Sequence, residues 1–372
     1  MSGAIKIDNC FGCGLCSVVC KHNVIDMILN EDGFLQPALV NLDKCVDCGL
    51  CTKVCSLLNE LDTFVPKHSY AAWSKNPEIR RASSSGGVSY EVSRLLLRHG
   101  YNFCGVKYNA KLGRAEHYIT NNIDALKLSI GSKYLQSFTK TAFSQIDKKQ
   151  KYLVVGTPFQ IASFRRYIEI FRCSNNFILM DFFCHGVPSY LLWTKYLKKY
   201  RDRFGNIKAV SWRNKIKGWH KSYCITVEGD DTTFHSWNGQ DDFFTLFLGD
   251  ACLSNACFDC KFKYHHSKAD IRIGDFWGGM FKSNEEGVCS VIAFTEEGNN
   301  VLHSANLELH EYSFDIVADG QLKNNPQKPW YYKKCMKDLK REDKELSDIA
   351  RPVCIYKRIH GHINRIKQIL HL

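Results

Sequence analysis

The sequence predicts a mixed α/β (α+β) protein with a small cysteine-rich module, a larger mixed-sheet domain and a helical C-terminal tail. Three observations predict it. Two cysteine blocks near the N-terminus repeat at an offset of 35 residues. From about residue 69, β-rich apolar runs alternate with helix-length amphipathic patterns, the signature of one sheet dressed by helices. The last 22 residues carry no Asp or Glu and place isoleucines on one helical face.

The chain has 372 residues, 45% hydrophobic and 13% aromatic, enough to bury a substantial core. No apolar run is long enough to span a bilayer, and the start "MSGAIKIDNC" has neither the basic region nor the apolar region of a secretory signal. Eighteen cysteines without an export signal point to metal ligation in a reducing compartment, the cytoplasm. The formal charge of +12 falls to roughly +6 if two thiolate-bound clusters and a pyrophosphate are added. This weakens a nucleic-acid partner and favours an acidic protein or a phosphorylated small molecule.

"IDNCFGCGLCSVVC" (7–20) aligns without a gap on "LDKCVDCGLCTKVC" (42–55). Each block is CxxCxxCxxxC, the spacing of two-cluster bacterial ferredoxins, in which three close cysteines wrap one cubane and the fourth reaches the other. The expected sets are Cys10, Cys13, Cys16 with Cys55, and Cys45, Cys48, Cys51 with Cys20, each holding a 4Fe–4S cluster. Gly14 and Gly49 fall where the loop must approach the cluster sulfurs closely. Lys21 and Ser56 stand where such ferredoxins usually carry Pro. Zinc knuckles use paired ligands with longer spacers and match this pattern less well. Between the repeats, "IDMILNEDGFLQPALVN" predicts a hairpin turning at Asp32–Gly33.

After a polar linker near 59–69, strands are predicted at "SYAAWS", "YNFCGVKY", "KYLVVG", "FILMDFF", "AVSWRN", "SYCITVEG", "TTFHSW" and "ADIRIGD". Helices are predicted over "GVSYEVSRLLLRHG", near 138–149, near 160–171, and over "SYLLWTKYLKKYRDRFG". The implied units are 1–62, 69–330 and 331–372. Two strand–loop–helix junctions, "SSSGG" (83–87) and "GTPFQ" (156–160), offer hydroxyls and bare backbone to an anion at a helix N-terminus. Read alone, each is an ordinary cap and turn. No GxGxxG follows a strand.

Taken in order, "SSSGG", "GSKYLQS" (131–137), "GTPFQIA" (156–162), "CHGVPS" (184–189), "CFDCKF" (257–262) and "ADIRIGDFWG" (269–278) resemble the coenzyme F-420 hydrogenase/dehydrogenase beta-subunit family, over roughly residues 1–320. The resemblance implies an iron–sulfur flavoprotein oxidoreductase with FAD in the α/β body. It places Ser84, Ser85, Gly86, Gly87, Lys133, Tyr134, Gln136, Thr157 and Gln160 near the flavin, with Lys133 and His185 as candidate proton donors. Members of the family also carry Cys where this chain has Phe159, and use it with the Cys of "CHG" and the CxxC pair to hold a further iron–sulfur cluster. Cys184, Cys257 and Cys260 remain here. The open alternatives are a substitute ligand (Cys252, His185, His265 or His266), a three-iron cluster, a Cys3His zinc site, or three packed thiols.

The tail "RPVCIYKRIHGHINRIKQILHL" (351–372) places Ile355, Ile359, Ile363, Ile366 and Leu370 on one face. This reads either as a helix docked on the body or as a peripheral membrane contact. The functional expectation is an enzyme taking single electrons from an acidic carrier (ferredoxin or flavodoxin) and passing them to an organic substrate, with a sugar nucleotide of surface-polysaccharide synthesis as the class the resemblance suggests. The alternative is an electron-transfer subunit, linked to F-420, ferredoxin or NAD(P)H, with no substrate of its own. A zinc-dependent nucleic-acid binder is the third reading; it lacks an aromatic-basic recognition module.

Overall fold

The computed structural model describes residues 7, 9–59, 62–230 and 232–369, with side chains at 203, 204 and beyond 360 left aside. The N-terminal module carries helix α1 (Leu15–Val19), strands β1 (Ile25–Leu29) and β2 (Leu35–Leu39), and helix α2 (Leu50–Lys53). β1 and β2 pair antiparallel through the expected turn, with Gly33 at φ 76°. Gly14 and Gly49 adopt left-handed conformations immediately before α1 and α2. A Cβ on Gly14 would also collide with Thr139 Oγ1, so this glycine serves the packing of the module on the body.

The body opens with β3 (His68–Ser74), α3 (Pro77–Ala82), α4 (Val88–Arg98), β4 (Asn102–Asn109), β5 (Arg114–Thr120), β6 (Ser137–Phe138) and α5 (Lys140–Ser144). β7 (Tyr152–Val155), α6 (Pro158–Ile170), β8 (Phe177–Phe182) and α7 (Tyr190–Phe204) follow. A three-stranded antiparallel sheet is formed by β9 (Ala209–Arg213), β10 (Tyr223–Glu228) and β11 (Thr233–Trp237), followed by α8 (Asp242–Phe247). β12 (Ile271–Asp275), β13 (Cys289–Ala293), α9 (Glu296–Ser304), β14 (Leu307–Glu311), α10 (Phe314–Val317), α11 (Tyr332–Leu339) and α12 (Leu346–Ile369) complete the chain. The helix expected near 138–149 is only the five residues of α5. Past it the chain turns, and Asp147 N–H donates to Tyr152 Oη.

The nine-stranded sheet runs β14-β3-β13-β12-β8-β7-β4-β5-β6. β12, β8, β7 and β4 pair in parallel. β13 is antiparallel to both β12 and β3, so β3 also points the same way as the parallel set. The central strands are largely buried and mostly apolar, as in "YLVV" and "FILM", with Asp181 of β8 and Arg272 of β12 paired among them.

Two features outside the sheet bear on the site. The module is riveted to the body by buried polar contacts. Gln136 Nε2 donates to Phe11 O and Leu35 O (2.8 and 3.1 Å), and its Oε1 accepts from Leu35 N (2.6 Å). Ser163 Oγ accepts from Ser56 N, and Thr139 Oγ1 donates to Cys13 O. The tail is docked on the body as far as it is described. Leu346, Ile349, Ala350 and Val353 are buried, and the Tyr331 and Tyr332 hydroxyls donate to Gly249 O and Leu253 O. Ile355 and Ile359 emerge exposed; the side chains of Ile363 and Ile366, and all of Leu370, lie outside the described residues.

Candidate functional site

The cysteines of the N-terminal module separate into two groups in space, and the separation crosses the repeats. Cys10, Cys13, Cys16 and Cys55 lie within electrostatic reach of one another in every pairing. Cys20, Cys45, Cys48 and Cys51 instead line a single pocket together with His22, Val24, Ile25 and Val46. α1 and α2 each carry the last cysteine of one block away from its own loop and towards the other. The first group is buried against the body, and burial followed by its like-charged neighbour Cys13 pushes the Cys10 thiol up to about 12. Four thiols so enclosed ionise together only with positive charge among them, which is what a cluster core of iron provides. Backbone N–H groups already point at sulfur, as Gly12 does to Cys10 Sγ at 3.3 Å. The donor set therefore fits two iron–sulfur cubanes.

The body motifs meet at one edge of the sheet. "GTPFQ" follows β7, "CHGVPS" follows β8 and "DFWG" closes β12, all at carboxyl ends of parallel strands, where α/β sheets hold ligands. "SSSGG" reaches the same edge after β3, where Ser74 N–H donates to Gly86 O. Gly87, at φ 89°, leads into the eleven-residue α4 with no side-chain cap on its free N–H groups. Ser84 Oγ accepts from both Ser132 N and Ser132 Oγ, which ties "SSSGG" to "GSKYLQS". Ser85 Oγ donates to Val288 O, and a Cβ on Gly86 would strike Ala72 O, so these two positions secure the loop against β3 and β13.

Lys133 is half-buried in this edge. Its ammonium donates only to the carbonyls of Ile130 and Gly131, and burial pushes its pKa down to about 7. A cation enclosed by carbonyl dipoles without a carboxylate is short of a countercharge. Thr157 caps α6 in a capping box with Gln160, and its buried Oγ1 has no acceptor for its own proton. Both features fit the phosphates of a dinucleotide such as FAD. Gln136 and Gln160 are used differently from the expectation. Gln136 is saturated by module backbone, while Gln160 accepts from Thr157 N and donates to Ser137 Oγ. These bonds let both amides position the loops.

Several residues not singled out in the sequence stand beside these loops. Arg213, at the end of β9, makes a two-pronged pair with Asp275 at 3.0 and 3.1 Å and also donates to Tyr134 Oη and Ser84 O. Trp219 Nε1 donates to the same carboxylate at 2.8 Å. Lys215 reaches the carbonyls of Arg80, Ser85 and Glu286, and burial lowers its pKa to about 8. The rings of Tyr134, Tyr223, Trp277 and Trp219 form a consecutive stack with centroids 6.1, 6.0 and 5.8 Å apart. The available signal was "SWRNKIK", three cations alternating out of a strand end; the convergence of Arg213 and Lys215 on "SSSGG" depends on contacts more than a hundred residues apart in the chain.

Cys184, Cys257 and Cys260 also gather, within electrostatic reach of one another, with Val187 N–H and Phe262 N–H directed at Cys257 Sγ and Cys260 Sγ. Phe159 is buried and stacks on Phe11 of the first cysteine block, centroids 4.7 Å apart and planes 15° apart. The alternatives for a fourth ligand are engaged elsewhere. Cys252 neighbours Cys335 and Asp250, and His185 Nε2 stands 2.9 Å from Asp250 Oδ1. His266 shares a hydrogen bond with Thr63, and its ring lies tilted against that of His265. Among the described residues, no three His, Cys, Asp or Glu side chains converge as they would on a single metal ion. The third site supplies three thiolates of the four a cubane takes, and does not fit a complete one.

Residues 149–313 match the family model for the C terminus of the coenzyme F420 hydrogenase/dehydrogenase beta subunit, and residues 9–57 match that of the 4Fe-4S dicluster domain. The chain thus carries the C-terminal domain of that beta subunit behind a 4Fe-4S dicluster domain. Among solved structures, the chain is similar to one polypeptide of the F420-reducing NiFe hydrogenase complex from Methanosarcina barkeri, studied by xenon derivatization. The identity is 14% over 67% of this chain and 83% of that one, with a TM-score of 0.47. No curated protein matches. The two matched domains are an iron–sulfur module and a domain of an oxidoreductase subunit. No helix among its described residues is long and apolar enough to cross a membrane.

Proposed function

We propose that this protein is the electron-transfer subunit of a larger oxidoreductase, holding two 4Fe–4S clusters and FAD. The observation that carries the reading is the crosswise division of eight thiols, one group opening to the surface and the other pressed against the body beside the loops that gather at the sheet edge. When bound, the clusters supply one-electron steps and the flavin supplies exchange between single electrons and a pair.

The chain's own residues do the positioning. Cys10, Cys13, Cys16 and Cys55 ligate one cluster, and Cys45, Cys48, Cys51 and Cys20 the other. Gln136, Thr139 and Ser163 fix the first set against the body, so its distance from the sheet edge does not fluctuate with the module. Gly87, Ser84 and Lys133 bind the pyrophosphate, with the α4 dipole favouring its charge. Lys133, whose pKa burial lowers to about 7, would hold its proton more firmly beside the pyrophosphate and meet it as a cation. Phe11 and Phe159 exclude water from the seam between module and body.

A second reading, an enzyme with its own organic substrate, is favoured by Arg213, Asp275 and the ring stack beside the same loops. Anaerobic purification with iron, sulfide and flavin counts tests the proposal. About eight irons and one FAD per chain are expected, together with a stable partner on copurification. A preparation without iron and flavin refutes it, and substrate-dependent reoxidation of the isolated chain promotes the second reading.

A further inference from the structure

The two thiol groups differ in exposure, and the difference singles out one face of the molecule. Cys10, Cys16 and Cys55 are buried, and Cys13 packs against the core. In the other group Cys48 is exposed and Cys20, Cys45 and Cys51 are partly so. Electron transfer between proteins falls steeply with distance, so a carrier must approach here.

The surface around this pocket is built in two zones. Val40, Leu42 and Val46 are 51, 46 and 61% exposed. Val46 lines the pocket, and Val40 N–H bonds Val24 O, whose side chain lines it as well. Three branched apolar residues left in water round a thiol pocket serve no packing within the chain. Lys21 and Lys44, each next in the chain to a pocket cysteine, and Lys53 at the end of α2 are all exposed, with no ion pair among the described residues. Of the module's other acids, Asp26 pairs with Lys140, and Glu31 and Asp32 pair with Lys340. The local acids are Asp43 and Asp47, the latter 3.4 Å from Cys45 Sγ. The lysines outnumber them on the margin.

We propose that this face docks a small one-electron carrier protein with an acidic margin around its redox centre; the proposal rests on the cluster assignment above. The apolar zone is only three residues wide, which suits the short-lived, small-area contacts of redox encounters. The unpaired lysines steer an acidic partner and set its orientation. In the exchange the carrier loses one electron and this protein gains one. No bond forms or breaks.

The test measures the dissociation constant of iron-replete protein for two purified carriers, a two-cluster ferredoxin and a flavodoxin, at low and high salt. Lys21→Glu with Lys44→Glu weakens binding of at least one carrier about tenfold and flattens its salt dependence. Val46→Asp weakens it comparably. Lys149→Glu, a charge reversal on an exposed body position, shifts it less than twofold. Equal weakening by Lys149→Glu, no binding of either carrier by the wild-type protein, or a self-associated dimer dispersed by Val46→Asp overturns the docking face. Iron and sulfide counts separate the two levels. An iron-replete protein with unmoved affinities sinks the face alone, whereas a wild-type protein lacking iron sinks the cluster assignment beneath it.

Discussion

Replacing Gln136 by Leu keeps the volume of the side chain and removes the whole rivet between module and body. The wild-type amide serves three backbone groups, Phe11 O, Leu35 O and Leu35 N, in a site only 3% exposed. Leucine fills the space, so water does not enter to replace the lost bonds. Each buried backbone group left unpaired costs about 1–3 kcal/mol, and three in one spot give roughly 3–5 kcal/mol once relaxation is allowed. The cost falls on the Cys10–Cys13 loop, because Phe11 lies within it. Two measurements follow: urea unfolding, and the rate at which a chelator strips iron. Gln136→Leu lowers stability by the stated amount and releases iron several-fold faster. Gln160→Leu, whose bonds lie wholly within the body, lowers stability with a much smaller effect on iron release. A change below about 1 kcal/mol, or equal iron release by both variants, refutes the claim that Gln136 holds the module in place.

Cys55→Ser disturbs the same cluster signal in electron paramagnetic resonance as Cys10→Ser, and Cys20→Ser the same signal as Cys45→Ser; pairing within each repeat instead contradicts the crosswise assignment. Lys133 has its pKa lowered in the folded protein, so the unfolded chain binds more protons above about pH 7 and stability of flavin-free protein rises with pH from there towards 10. Lys133→Met removes that rise, and denaturant titrations at pH 6.5 and 9 check it. FAD affinity of the wild type falls over the same window as the free ammonium deprotonates. Asp181 and Arg272 are both fully buried and joined by two 2.7 Å bonds, so Asp181→Ala strands a cation and costs about 3–5 kcal/mol in the same titration. Phe159→Cys raises iron from about eight per chain towards eleven or twelve if the missing thiolate alone limits the third site; an unchanged count places the limit in the surrounding packing.

How much was readable in advance followed how local the cause was. The cysteine blocks, the Asp32–Gly33 turn and the strands "YLVV" and "FILM" are set by spacing and apolar pattern over a dozen residues, and they stand in the structure as expected. The grouping of "SSSGG", "GSKYLQS", "GTPFQ" and "DFWG" at one edge depends on strand order, which no local pattern encodes. Arg213 and Lys215 escaped notice for that reason. Gln136 and Gln160 sit in the expected motifs but face other work, because a motif locates a loop and leaves the side-chain directions to packing. Phe159 shows the converse. Its ring stacks on a residue 148 positions away, and only the fold reveals that contact.

Strand β3, residues 68–74, lies between β13 and β14, which are not made until residues 289–311. During synthesis the central sheet must therefore wait for some 240 further residues before its edge can close, while the N-terminal module needs only its own first 55. The cysteine-rich end is thus free to meet the iron-delivery machinery long before the body exists, and the thiols that end up walled in by α6 have to receive their cargo on the nascent chain or soon after release. Apoprotein refolded whole would close that door first, so in vitro reconstitution should fill the outer pocket readily and the inner one poorly.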